Sequence, residues 1–96
     1  MPVYVVSRLT IFDPAAMAEY QRDVIPLVHA FGGRYLVRGN EVEALEGTWD
    51  HQRMVILEFQ TREAALAWYH SEEYAPLKAK RQASGDAIIL LASSVQ

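Results

Sequence analysis

Apolar and polar positions divide the chain into stretches of two different periods. Val3 to Ile11 (Val-Tyr-Val-Val-Ser-Arg-Leu-Thr-Ile) is rich in β-branched and aromatic residues and predicts a first strand. Met17, Tyr20, Val24, Leu27, Val28 and Phe31 then follow at the i, i+3, i+4, i+7 spacing of one buried helix face. Asp13 can cap that helix, and Pro14 fits its first position, where a missing N–H is no loss. Pro26 lies inside the stretch and predicts a kink near Arg22; Gly32-Gly33 ends it. Arg34 to Arg38 reads as a short second strand, Gly39-Asn40 as a tight turn, and Val42 to Leu45 as an added hairpin arm. Residues 46–51 read as loop, and Arg53 to Phe59 as the clearest buried strand. Thr61 caps a second helix through Tyr69. Ser71-Glu72-Glu73 starts another that runs to about Ser84, with Pro76 near its beginning and Gly85 at its stop. Ala87 to Ala92 is a final apolar strand.

The predicted order is β-α-β-β-α-β, with the second helical region broken in two. This is the ferredoxin-like pattern of the α+β class: a four-stranded antiparallel sheet with its helices on one face. The inner strands, Val3–Ile11 and Arg53–Phe59, are expected side by side and parallel. A sheet covered on one face should alternate, but these strands do not. Val5, Leu9, Val55, Leu57 and Phe59 form a purely apolar set that belongs under the helices. The opposite set holds Tyr4, Val6, Met54, Ile56, Ile88 and Leu90 beside Arg8 and Glu58. Burying those six apolar side chains is worth on the order of 10 kcal/mol before the costs of association. The expectation is a homodimer with its sheets packed face to face, closing a barrel.

Composition narrows the classes. Ninety-six residues suit a single domain spanning 1–96. Nine basic against twelve acidic residues give a net charge of −3, which lacks the basic footprint of a nucleic-acid binder. The absence of cysteine removes thiolate nucleophiles and cysteine-held metal sites. No apolar run nears the roughly 20 residues of a membrane helix, and no signal peptide is evident, so a cytoplasmic protein without membrane partners is expected.

Few residues carry recognisable chemistry. Glu58 is the acid within an apolar strand: either a general acid or base with a raised pKa, or an interface ion-pair partner for Arg8. The second is the commoner role of a paired carboxylate. His70 ends the second helix as a base or as a favourable terminal cation, and Tyr69 beside it suits packing and binding equally. Trp68 reads as a core anchor. His29 and His51 lack metal-ligand spacing, and no phosphate loop or cofactor motif occurs, so neither a metal nor a cofactor is expected. Lys78, Lys80 and Arg81 read as a solvated basic run, of which Lys78 or Arg81 can hold a carboxylate. Arg34 and Arg38, expected to point the same way, form an exposed pair or an anion clamp. Two functions stay open. One is a cofactor-independent enzyme for an organic acid or quinone-like compound. In it Glu58 or His70 moves a proton, Arg8 or Arg34 holds a carboxylate and Tyr69 lines the pocket. The other is a non-catalytic dimer that binds a small molecule or serves structurally.

Several stretches together resemble a known family. They are Phe31-Gly32-Gly33-Arg34-Tyr35-Leu36-Val37-Arg38-Gly39, Leu45-Glu46-Gly47-Thr48-Trp49, Val55-Ile56-Leu57-Glu58-Phe59 and the run from Ala65-Leu66-Ala67-Trp68-Tyr69-His70-Ser71-Glu72-Glu73-Tyr74 to Arg81. The chain resembles the domain of unknown function 1330 family, within the dimeric α/β-barrel superfamily. The likeness implies a ferredoxin-like protomer and a dimer through sheet faces, and no established reaction. The wider superfamily includes cofactor-free monooxygenases, small-ring isomerases and haem-handling proteins, with sites between sheet and helices or inside the barrel. A haem site would need an axial histidine that no motif here assigns.

Overall fold

In the computed structural model, residues 1–50 and 52–95 are described; His51, expected in a loop, lies outside them. The described elements are β1 (Val3–Ile11), α1 (Pro14–Ala30), β2 (Arg34–Gly39), β3 (Arg53–Phe59), α2 (Arg62–Tyr69), α3 (Ala75–Ser84) and β4 (Gly85–Ser93). Local chemistry explains the boundaries. The Asp13 carboxylate accepts a hydrogen bond from Ala16 N (3.1 Å), and Thr61 Oγ1 accepts one from Ala64 N (3.1 Å), so each satisfies a free donor of a first turn. Helix α1 runs on through Pro26, whose exposed position puts the lost backbone bond on the solvent side. Gly32 ends the α1 region at φ +84°, and Gly33 lets the chain press against the core. A Cβ on Gly33 would stand 2.7 Å from the Phe59 ring and 2.8 Å from Val28 Cγ1.

Ser71 joins α2 to α3 rather than capping the latter. Its hydroxyl donates to Trp68 O (2.8 Å) and accepts from Tyr74 N (3.1 Å), while the α3 cap residue, Tyr74, has no side-chain cap bond. The clasp turns the chain so that the fully buried Tyr74 ring lies 4.4 Å from that of Trp68. The expected hairpin arm from Val42 to Leu45 is not a strand. It carries no apolar face to lay on the core: Glu43, Ala44 and Leu45 are exposed, Leu45 at 89%.

The sheet order is β2-β3-β1-β4, antiparallel throughout. With α1 and the α2–α3 pair on one face, this is the ferredoxin-like fold of the α+β class. The parallel pairing expected for β1 and β3 is overturned. The α1 crossover brings β2 back in the direction of β1, and the following connection then reverses the chain into β3. Tyr4 therefore faces Glu58, while Arg8 faces Met54 and Ile88. Arg8 is four residues along β1 from Tyr4, about 13 Å at the rise of a strand. Arg8 and Glu58 thus do not pair within one chain.

Alternation places Val3, Val5, Leu9, Leu57 and Phe59 in the core under Met17, Tyr20, Val24, Val28, Trp68 and Tyr74. Tyr4, Val6, Met54 and Ile56 are half-buried on the other face, with Ile88 at 40% and Leu90 at 51% exposure. No helix is long and apolar enough to cross a membrane among the described residues. A bulge in β2 completes the layout. Tyr35 pairs with Leu57 and Val37 with Ile56, leaving Leu36 as the extra residue. Arg34, opposite Glu58, faces the open side, while Arg38, opposite Val55, faces the helices. The expectation that these two arginines point the same way fails at that bulge.

Candidate functional site

The sequence-predicted residues fall in two places. Glu58, Arg34 and Arg8 share the open sheet face. Glu58 Oε1 accepts from Arg34 Nε at 2.7 Å, with the Arg34 side chain 67% exposed and that of Glu58 12%. Tyr69 and His70 stand at the end of α2 and line a pocket of about 220 Å³ with Val5, Leu66, Ile89 and Leu91. His70 is exposed and meets the Tyr69 ring edge-on at 5.3 Å; Lys78 Nζ lies 4.0 Å from the centroid of the same Tyr69 ring. Glu58 and His70 therefore do not converge on one cavity. His29 is exposed and stands edge-on to Tyr35.

A third place unites residues the sequence left apart. On α3 and the turn before it, Tyr74, Leu77, Arg81 and Ser84 form a stripe at three- and four-residue spacing that turns inward. It carries Arg81 into the core, where only 5% of the residue meets solvent. Between helices and sheet lies a cavity of about 30 Å³, walled by Ser7, Tyr20, Tyr35, Trp68, Tyr74 and Arg81 among others. That is room for one or two waters, or for the oxygens of one acid group. No Asp or Glu lines it. Asp86 shares a separate groove with Arg81. Tyr20 and Tyr74 join their hydroxyls at 2.7 Å. Arg81 Nε and Trp68 Nε1 are buried with no hydrogen-bond partner among the described residues. Buried donors are almost always paired, and an unpaired one costs about 1–3 kcal/mol.

Burial disfavours the Arg81 charge, but the phenols of Tyr74, Tyr20 and Tyr69 outweigh it and hold the guanidinium pKa above its usual value. Burial, reinforced by Tyr74, pushes the Tyr20 phenol well up. Burial also pushes Tyr35 up to about 12, against the pull of Arg38. The cavity therefore presents a cation and N–H and O–H donors, with no carboxylate or histidine among the described residues of its wall. Such a set stabilises negative charge on a ligand oxygen.

The cavity shares Gln21 and Arg38 with a larger groove of about 390 Å³ between α1 and β2, which Arg22, Asn40 and Arg53 also line. The solvated basic run expected on α3 thus fails at Arg81, which is set in the core beside Tyr20, Trp68 and Tyr74. The signal lay in spacing: Arg81 continues the helical stripe of Tyr74 and Leu77, whereas Lys80 turns outward to Glu19 (2.7 Å).

The chain is similar to a protein of unknown function from Rhodopseudomonas palustris, at 20% identity and TM-score 0.81, over 99% of this chain and 83% of that one. It is similar to a dimeric ferredoxin-like protein of unknown function from a Jannaschia species, at 10% identity and TM-score 0.70, over 98% and 100%. It is also similar to SnoaB, a cofactor-independent oxygenase from Streptomyces nogalater, at 18% identity and TM-score 0.63, over 99% and 94%. At these identities the likeness is one of fold. No curated protein matches the chain. The model of one family does match, over residues 2–95, and the chain belongs to that family, described as Domain of unknown function (DUF1330).

Proposed function

We propose that this protein is a homodimer that binds a small organic acid, with the acid group seated on Arg81 in the cavity between sheet and helices. The observation that carries this reading is the buried guanidinium without a carboxylate, its Nε and the indole N–H of Trp68 both unpartnered in one cavity wall. Evolution rarely leaves a buried cation unpaired for stability alone, since replacing such charge by apolar residues is commonly neutral or better. A ligand anion supplies the missing partner. The apolar open face with Val6, Ile56, Ile88 and Leu90 supports the dimer, as does the description of the Jannaschia neighbour as dimeric. In that dimer the Glu58–Arg34 pair and Arg8 belong to the interface, Tyr69 supports the Tyr74 side of the cavity, and His70 stays outside it.

The Tyr20–Tyr74 hydroxyl pair favours a catalytic version of the same site. A cofactor-independent enzyme needs charge stabilisation where a substrate carbonyl or phenol becomes an oxyanion, and Arg81 is placed to give it. The phenol pair then exchanges a proton with that oxygen. The name of the Streptomyces neighbour is consistent with such chemistry and lends it support.

The test is a titration with hexanoate and benzoate, followed by the Trp68 indole N–H resonance. Saturable shifts that vanish in a natively folded Arg81→Met variant are the expected result. No shift in the wild-type protein with either acid at millimolar concentration overturns the reading.

A further inference from the structure

We infer that the ligand is a dianion, with one acid group at Arg81 and the second held at the cavity mouth by Arg38 and Arg53. This deepens the Arg81 reading and rests on it. The chain has seven arginines and a net charge of −3, yet the cavity and its adjoining groove are walled by four of those arginines, Arg22, Arg38, Arg53 and Arg81, and by no acid. Twelve acidic residues were available to neutralise them. Among the described residues, Asp23 accepts from Arg22 Nε at 3.0 Å. The other two at the mouth are oriented by uncharged groups, and the described residues of the lining include no carboxylate. Arg53 Nε donates to the uncharged side-chain oxygen of Asn40 at 3.0 Å. The Arg38 guanidinium lies 5.3 Å over the Tyr35 ring. Each keeps further N–H donors for a ligand, in the planar fork that suits a carboxylate or phosphate.

The β2 bulge is what brings Arg38 to this side of the sheet, into the wall common to cavity and groove. Between the deep and outer cations the wall is apolar and aromatic, with Val24 and Tyr35. The matching molecule has an apolar spacer between two acid groups. Uncompensated positive charge in a concave site also raises the local concentration of such anions.

The test compares each dicarboxylate from butanedioate to octanedioate with the monocarboxylate of equal chain length, by the Trp68 indole resonance. The expected result is a preference of about tenfold or more for one dicarboxylate, the size of one charged hydrogen-bonded contact. That preference falls toward one in Arg38→Gln and in Arg53→Gln. It persists in Arg62→Gln, which removes a charge from α2, away from the groove. Equal binding of mono- and dicarboxylates that still requires Arg81 overturns the inference while leaving the Arg81 reading in place. A preference that survives Arg38→Gln and Arg53→Gln, or falls equally in Arg62→Gln, overturns the assignment to the mouth. No shift with any acid overturns both.

Discussion

Arg81 holds its charge among phenols and rings rather than carboxylates, and this makes opposite demands on stability and binding. Arg81→Met removes a buried charge and an orphaned donor while keeping an unbranched side chain. It should raise stability by about 1–4 kcal/mol and abolish acid binding. A fall in melting temperature would show that the guanidinium is structural instead. The tyrosines give a pH signature. Tyr20 and Tyr35 have folded-state pKa values above the ordinary phenol value, Tyr35 at about 12. Their contribution to stability is therefore complete below about pH 10 and is lost as the unfolded chain alone releases protons above it. Denaturant melts should weaken from about pH 10 toward pH 12, and Tyr35→Phe should lessen that loss. Residue-level chemistry was only partly legible in the sequence. Glu58 stands out in an apolar strand, and it is indeed ion-paired, but with Arg34. Arg81 looks like its neighbours Lys78 and Lys80 until helix phase is counted from Tyr74.

The elements show where close approach constrains sequence. Gly33 admits no side chain between the Phe59 ring and Val28, so Gly33→Ala should cost about 1–3 kcal/mol by overpacking. Thermal unfolding checks this; an unchanged midpoint would mean that the ring yields freely. Helix starts were legible because Asp13 and Thr61 act locally, each within three residues of its bonded donor. The arm from Val42 to Leu45 was not, because a tight-turn signal says nothing about whether the returning strand has a face to bury. The bulge at Leu36 was equally hidden: it depends on how β2 and β3 meet, across some twenty residues of sequence, and no residue type announces it.

At the scale of the molecule, element order sufficed for the fold, since few topologies accommodate β-α-β-β-α-β with right-handed crossovers. The Arg8–Glu58 match fails because distance from strand ends aligns residues only in parallel neighbours, and β1 and β3 are antiparallel. The double-sided sheet remains the strongest forecast. Wild-type protein at micromolar concentration should scatter light as twice 10.9 kDa, and Leu90→Glu, on the open face, should drive it toward the monomer mass. A wild-type monomer would remove the dimer from the proposal. Arg34 and Arg38 are only four residues apart, yet one looks toward the open sheet face and the other toward the groove, because Leu36 adds half a period between them. Excising Leu36 would remove the bulge yet leave Tyr35 opposite Leu57 and Val37 opposite Ile56, so both cations would keep their faces; strict alternation with Leu36 retained is what would send them the same way. What divides the two cations between sheet faces is thus the tolerance of β3 for one unpaired residue, not the length of β2: a β3 that forced Leu36 into the ladder would turn every later residue of β2 over.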